Sequence, residues 1–224
     1  MGGARRATYL AALCPALLAL AGAPIMTEPS RAQEAARAAD RMPEIPPERL
    51  TPAQRAAAEA FEKSRKSPVF GPFVPLLRSP ELMLRASDMG LYLRYNSVLP
   101  LRISEFVILI VAREWTQQLE WAIHHPIALK AGVDPAVAQA LSEGRRPEGM
   151  TPDEALAYAF ATELTRNRAV SDATYAAVVA RFGEQGAIDL AGINGYYTLL
   201  AMTMNMARTA VPNGAPPPLR PLVP

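Results

Sequence analysis

Residues 99–133 read LPLRISEFVILIVAREWTQQLEWAIHHPIALKAGV, and this stretch decides how the rest of the chain is understood. Ile103, Phe106, Val107, Ile110 and Val111 recur at helical spacing, while Ile108 and Leu109 make the other sides apolar too. A segment this apolar belongs inside a core. A run rich in Ile and Val also suits a buried strand. Helical patterns flank it on both sides with no turn residue between, so a helix over Leu101–Ala112 is expected. A second helix over Trp115–Lys130 follows, closed by Gly132.

Working outward, the same punctuation recurs. Thr51-Pro52 reads as a cap followed by proline at the first helical position, opening a helix to about Lys63. Gly71, Pro72 and Pro75 make Phe70–Pro75 a loop over apolar surface. Ser79-Pro80-Glu81 repeats the start signal for a helix to about Tyr95, with Leu82, Leu84 (or Met83), Met89 and Leu93 on its inner side. Asp134-Pro135 begins a short helix through Glu143 that Gly144 ends. Thr151-Pro152-Asp153-Glu154 opens another to about Asn167, its acids complementing the positive helix end. Ser171-Asp172 caps one that runs to Arg181 and stops near Gly183. Gln185–Ala210 completes the set, with Ile188, Leu190, Ile193, Tyr197, Leu200 and Met204 largely buried. No segment alternates at period two, so the fold class is all-α.

Composition narrows the function. The chain has 224 residues, half of them hydrophobic, and a net charge of +2. That suits one domain with a packed core plus appendages. Its Lys and Arg are scattered, which excludes the basic stripe a nucleic-acid partner requires. The partners expected are a small-molecule substrate and further copies of the chain. Twenty-two prolines gather mainly at Met42–Pro52, Pro68–Pro80 and Pro212–Pro224, outside the helical body. Four units result: a signal peptide over 1–32, an N-terminal extension with a short helix over 33–69, a helical domain over 70–211, and an extended Pro-rich tail over 212–224.

The leader has the layout of a secretory signal: Arg5 and Arg6, an apolar run over Tyr9–Leu20, then small residues. Cleavage after Ala32 is favoured over cleavage after Ala23, because Pro24 follows the latter. The run falls short of the ~20 residues a span needs. Export to the periplasm is therefore expected, with an N-terminal membrane anchor as the alternative. The sole cysteine, Cys14, lies in this leader, so the mature chain would have no thiol for disulfides, metal ligation or nucleophilic attack.

Chemistry concentrates within 105–124. Glu120 and His124 are four apart and share a helix face, which Gln117 joins. A carboxylate beside an imidazole orients the ring and stabilises its charged form, as proton transfer demands. The same spacing on a solvated surface would be an ordinary pair. Trp115, Leu119, Trp121 and Ile123 make the neighbourhood apolar and favour the functional reading. Glu105 lies in an apolar helix and must find a partner. A salt bridge to Arg102 or Arg113 is the plain structural option. Glu105, Glu120 and His124 are the catalytic candidates, and Gln117, Trp121 and Arg113 the candidates for touching a substrate. Arg102 is a second choice for holding a substrate carboxylate. His125 diverges from His124 on the helix, so a metal site built on the pair is not expected.

The stretch 99–133 resembles the carboxymuconolactone decarboxylase and alkylhydroperoxidase D superfamily, and the likeness extends over about Phe70–Ala210. In the peroxidase branch a Glu, eleven residues, Cys, two residues, Cys, three residues and His form the motif. Those positions fall here on Glu105, Gln117, Glu120 and His124. The stretches from YAF to NRAVSD and IDLAGINGYYTLLAMTMNMA also look like that family. The resemblance implies a helical bundle that forms a homo-oligomer. With both cysteines replaced, thiol-based peroxide reduction is not expected. The decarboxylase-like branch implies a lyase or isomerase using no cofactor on a small carboxylated lactone or related acid. Within it His124 would be the general acid, oriented by Glu105 or Glu120. A binding protein on the same scaffold is the alternative. Export argues for a substrate other than carboxymuconolactone itself.

Overall fold

The computed structural model describes residues 40–211 and 218–221. The expected leader, most of the Ala-rich stretch after Gln33 and most of the Pro-rich tail lie outside them. Every regular element among the described residues is helical. After a short 3₁₀ turn at Pro47–Arg49 come α1 (Pro52–Arg65), α2 (Phe73–Leu76), α3 (Pro80–Tyr95), α4 (Leu101–Glu114), α5 (Gln118–Lys130), α6 (Pro135–Ser142), α7 (Pro152–Arg166) and α8 (Asp172–Ala207). None of these is long and apolar enough to cross a membrane.

Helix α4 is the centre of the fold. Every residue from Ile103 to Arg113 is buried, and the helix packs against α5, α7 and α8, with α3 and α6 alongside. An all-round apolar sequence suits a helix with neighbours on every side. Thr51 and Thr151 each form a capping box, with Gln54 and Glu154 respectively reaching back to the cap. Asp134 and Ser171 cap α6 and α8 through their side chains. Gly183, at φ 74° and ψ 171°, breaks α8 into 172–182 and 184–207, where the sequence placed a stop.

Four expectations need correction. Phe70–Pro75 is not wholly a loop, because 73–76 forms one helical turn. Pro75 fits that first turn, where its missing N–H is not needed, and Phe73, Pro75 and Leu76 are buried. On α3 the inner side is Met83, Ala86, Ser87, Gly90 and Leu93, whereas Leu82 and Met89 are exposed. Small residues mark that face because α3 approaches its neighbours closely, so choosing the largest side chains selected the wrong stripe. Ser79 stands at the α3 cap position but makes no side-chain cap bond. On α8, Ile188 is 72% exposed while the other five expected core residues are buried.

The turn before α5 also differs. Thr116 takes a left-handed conformation at φ 47°, so the helix starts at Gln118 and not at Trp115. Gln117 is its cap, accepting the Glu120 backbone N–H at 3.0 Å. Near the C-terminus, Leu219 is buried. Its backbone N–H donates to Gln118 Oε1 and its carbonyl accepts from Gln118 Nε2. This part of the tail is docked on the helical body.

Candidate functional site

Three consequences of the packing make a site. Helix α4 carries Glu105 at its centre, with 0% exposure, where an isolated carboxylate would be costly. The last turn of α3 supplies Arg94, whose Nε and Nη2 donate to Glu105 Oε1 at 3.1 and 2.9 Å. Helix α5 brings His124 to the other carboxylate oxygen, with Nδ1 2.7 Å from Oε2. Glu105 is therefore bonded on both oxygens and links three helices.

Arg94 and His124 line a narrow hollow, whereas Glu105 is fully buried and does not reach its wall. The hollow's enclosed volume is about 50 Å³, within about 460 Å³ of space that includes the open mouth. Arg94, Glu120, His124, Tyr196 and Tyr197 form its polar lining, with Arg65 beside them. Phe70, Phe73, Ile123, Leu200 and Met204 supply the apolar part. The Tyr197 ring stands edge-on to His124, centroids 5.1 Å apart at 87°.

Electrostatics divides the three candidate residues. Burial pushes the Glu105 carboxyl upward, but its hydrogen bond to His124 and the charges of His124 and Arg94 outweigh this and hold it below the usual range. His124 is lowered chiefly by burial. The Glu105 carboxylate acts against this, and the Arg94 charge reinforces it. A neutral imidazole donating Nδ1–H to Glu105 keeps the lone pair on Nε2. Glu120 is different. Neither carboxyl oxygen bonds to another group among the described residues, and Oε2 is fully enclosed. Burial drives this carboxyl well above its ordinary value, which favours its protonated form. The site thus pairs an oriented base with a protonated acid, the combination proton-transfer chemistry uses.

Glu105, Glu120 and His124 converge, but the three expected substrate contacts do not join them. Gln117 is the α5 cap, and its Nε2 donates to Asn205 Oδ1 at 3.1 Å. Trp121 is buried against its neighbours and stacks on His125 with centroids 5.6 Å apart. Arg113 donates from Nη1 to the carbonyls of Ser142 and Arg220, which joins α4 to α6 and the tail. Neither arginine offered as a partner for Glu105 takes that position. Arg102 is instead held by Glu154 at 2.9 Å, because the α7 capping carboxylate lies beside it. The ring partner of His124 is Glu105 and not Glu120, although Glu120 is closer in sequence.

Sequence reading missed Arg94 and Arg65. The inner stripe of α3, Met83, Ser87, Gly90 and Arg94, runs at spacings of four, three and four. An arginine ending a buried stripe signals a buried acid, and this was the usable clue. Tyr196 and Tyr197, on the last long helix, line the hollow. Asn194 and Asn205 instead tie helices together, the first to Ala161 and Thr165 and the second to Gln117 and Trp115. Among the described residues no three His, Cys, Asp or Glu side chains cluster as metal ligands. No family model matches the chain, and no curated protein matches it.

Proposed function

We propose that the hollow is the active site of an acid–base enzyme with decarboxylase-like lyase or isomerase chemistry on a small carboxylated lactone or related organic acid. The observation that carries this reading is that His124, hydrogen-bonded to the buried Glu105, and the unpartnered Glu120 carboxyl line one narrow hollow. In a decarboxylation, the carbon–carboxylate bond breaks, carbon dioxide leaves, and its electron pair stays on the substrate carbon. Glu120 gives its proton to that carbon and recovers one from solvent. In an isomerisation, His124 Nε2 takes a proton from carbon and Glu120 returns one elsewhere on the substrate. This assigns the general acid to Glu120 and moves His124 to the base. Assembly into a homo-oligomer belongs to the same proposal. Exposed Leu199, Met202 and Met206, with Ile188 further back, support it as an apolar side of α8.

The test is turnover. Carboxylated lactones and aromatic acids would be incubated with the protein in deuterated water and followed by mass spectrometry. Loss of carbon dioxide or deuterium uptake at carbon is expected, slowed ~10²–10⁴-fold in His124→Ala and in Glu120→Gln. Changes below about threefold in both variants overturn the proposal, since general acid–base groups contribute far more. Ligand-induced thermal stabilisation without any turnover would make the protein a binder on this scaffold.

A further inference from the structure

Acid–base chemistry on an organic acid needs something to hold the acid, and neither Arg102 nor Arg113 reaches the hollow. Arg65 does. It is the last residue of α1, ahead of the domain expected to carry the chemistry. Its Nε donates to Ser87 Oγ and its Nη2 to the Ser87 carbonyl, both at 2.8 Å. The guanidinium lies over Phe73 at 4.7 Å from the ring centroid and near Phe61 at 5.4 Å. These contacts fix its plane before any ligand arrives, which lowers the ordering cost of binding. Nη1 makes no hydrogen bond among the described residues.

Charge accounting around the hollow singles out the same group. Arg94 is matched by Glu105 in a direct ion pair. Burial favours the uncharged forms of Glu120 and His124. Arg65 bonds to the neutral hydroxyl and carbonyl of Ser87 and stands against the Tyr196 phenol, so none of these partners carries a counter-charge. One positive charge is left over at the wall, enough for a monoanion and too little for a dianion in so dry a place.

A second donor accompanies it. A methyl group at Gly90 would lie 2.3 Å from Tyr196 Oη and 3.0 Å from Arg65 Nη2. The missing side chain therefore lets the phenol and the guanidinium converge on one point of α3. The Tyr196 hydroxyl is pushed up to about 12, chiefly by burial, so it keeps its proton and can donate.

We propose that Arg65 and Tyr196 form an anion seat in the hollow, and that its ligand is a small organic monocarboxylate with a compact apolar body. One carboxylate oxygen meets Arg65 Nη1 and the other the Tyr196 hydroxyl, while Phe70, Phe73, Leu200 and Met204 enclose the body. The N-terminal helix is then part of the binding site. This rests on the preceding reading only for the location of the site, and its test reads binding.

Affinities of the full chain for propionate and benzoate would be compared with those for propionamide and benzamide by calorimetry or ligand-observed NMR. The acids should bind at least about tenfold more tightly than the amides, as a charge-assisted bond predicts. Arg65→Gln should erase that preference, Arg65→Lys should keep part of it, and Tyr196→Phe should weaken acid binding several-fold. Unfolding midpoints show which variants are folded, and if Arg65→Gln is not, Arg65→Lys and Tyr196→Phe decide. Equal affinities for acids and amides, no acid binding below about 10 mM, or an unchanged preference in the folded variants would overturn the seat. Acid preference without turnover sinks the catalytic reading and leaves the seat standing. Turnover of the acids with equal affinity for acids and amides does the reverse.

Discussion

His124 Nδ1 lies 2.7 Å from Glu105 Oε2, and the other oxygen of that carboxylate takes two bonds from Arg94. Sharing the carboxylate with Arg94 limits what it can do for a charged imidazole. The ring is accordingly expected to be neutral and protonated on Nδ1 at pH 7. Long-range ¹H–¹⁵N NMR of the imidazole reads this directly. A spectrum of the Nε2–H tautomer or of the imidazolium would refute it.

Removing the Glu105 charge should be costly. Glu105→Gln leaves Arg94, whose side chain is 15% exposed, without its counter-charge. A loss of about 3–5 kcal/mol in chemical denaturation is expected, as for other buried pairs broken on one side. A loss below about 1 kcal/mol would place the pair in the range of surface bridges.

Glu120 should act on stability in the opposite sense. Its pKa in the folded protein is raised by burial above the ordinary 4.5, so the native state keeps a proton that the unfolded chain has already lost. Above pH 4.5 this site therefore lowers stability as pH rises, by up to about 1.4 kcal/mol per pH unit, until the folded-state carboxyl also ionises. Glu120→Gln should leave stability at pH 4 nearly unchanged and raise it increasingly toward pH 7. Denaturation curves at several pH values check this, and parallel pH profiles for the two proteins would contradict it.

Gly90→Ala sets two effects against one another. Alanine improves helix propensity by about 1 kcal/mol. The added methyl would meet Tyr196 Oη at 2.3 Å and Cζ at 2.8 Å, and overpacking of this kind costs about 1–3 kcal/mol. Net destabilisation is expected. Tyr196→Phe removes the shorter contact, so the double variant should lose less than the sum of the singles. Strict additivity in urea denaturation would show that the ring moves aside freely.

Glu154 is another buried acid with a structural task. It accepts from the Thr151 backbone N–H at 2.8 Å and hydroxyl at 2.9 Å, and from Arg102 Nε at 2.9 Å. Glu154→Ala removes the capping box and the ion pair together and should cost about 2–4 kcal/mol. A thermal melt within error of the unmodified protein would reject that role.

The local signals in this chain were sufficient for most of its helices, though not for α2 or for the start of α5. Threonine or aspartate before proline set the starts of α1, α6 and α7, glycine stopped α5 and broke α8, and the all-round apolar α4 announced its burial. Such signals act within a few residues, through backbone hydrogen bonds and dihedral limits that do not depend on the rest of the fold. The residues 105, 120 and 124 were also legible, because spacing along one or two helices fixes which faces they share. Their partners were not. Arg94 rather than Arg102 or Arg113 meets Glu105, Gln117 turns out of the helix to cap it, and Arg65 arrives from a helix outside the expected domain. Each of those choices is made by how closely helices approach. At α3 that closeness depends on Ala86, Ser87 and Gly90, residues whose small size leaves little trace in hydrophobic periodicity. Sequence alone marked where most helices begin and which acids were out of place; only tertiary packing decided which charge met which, because burial makes an unmatched charge too costly to leave.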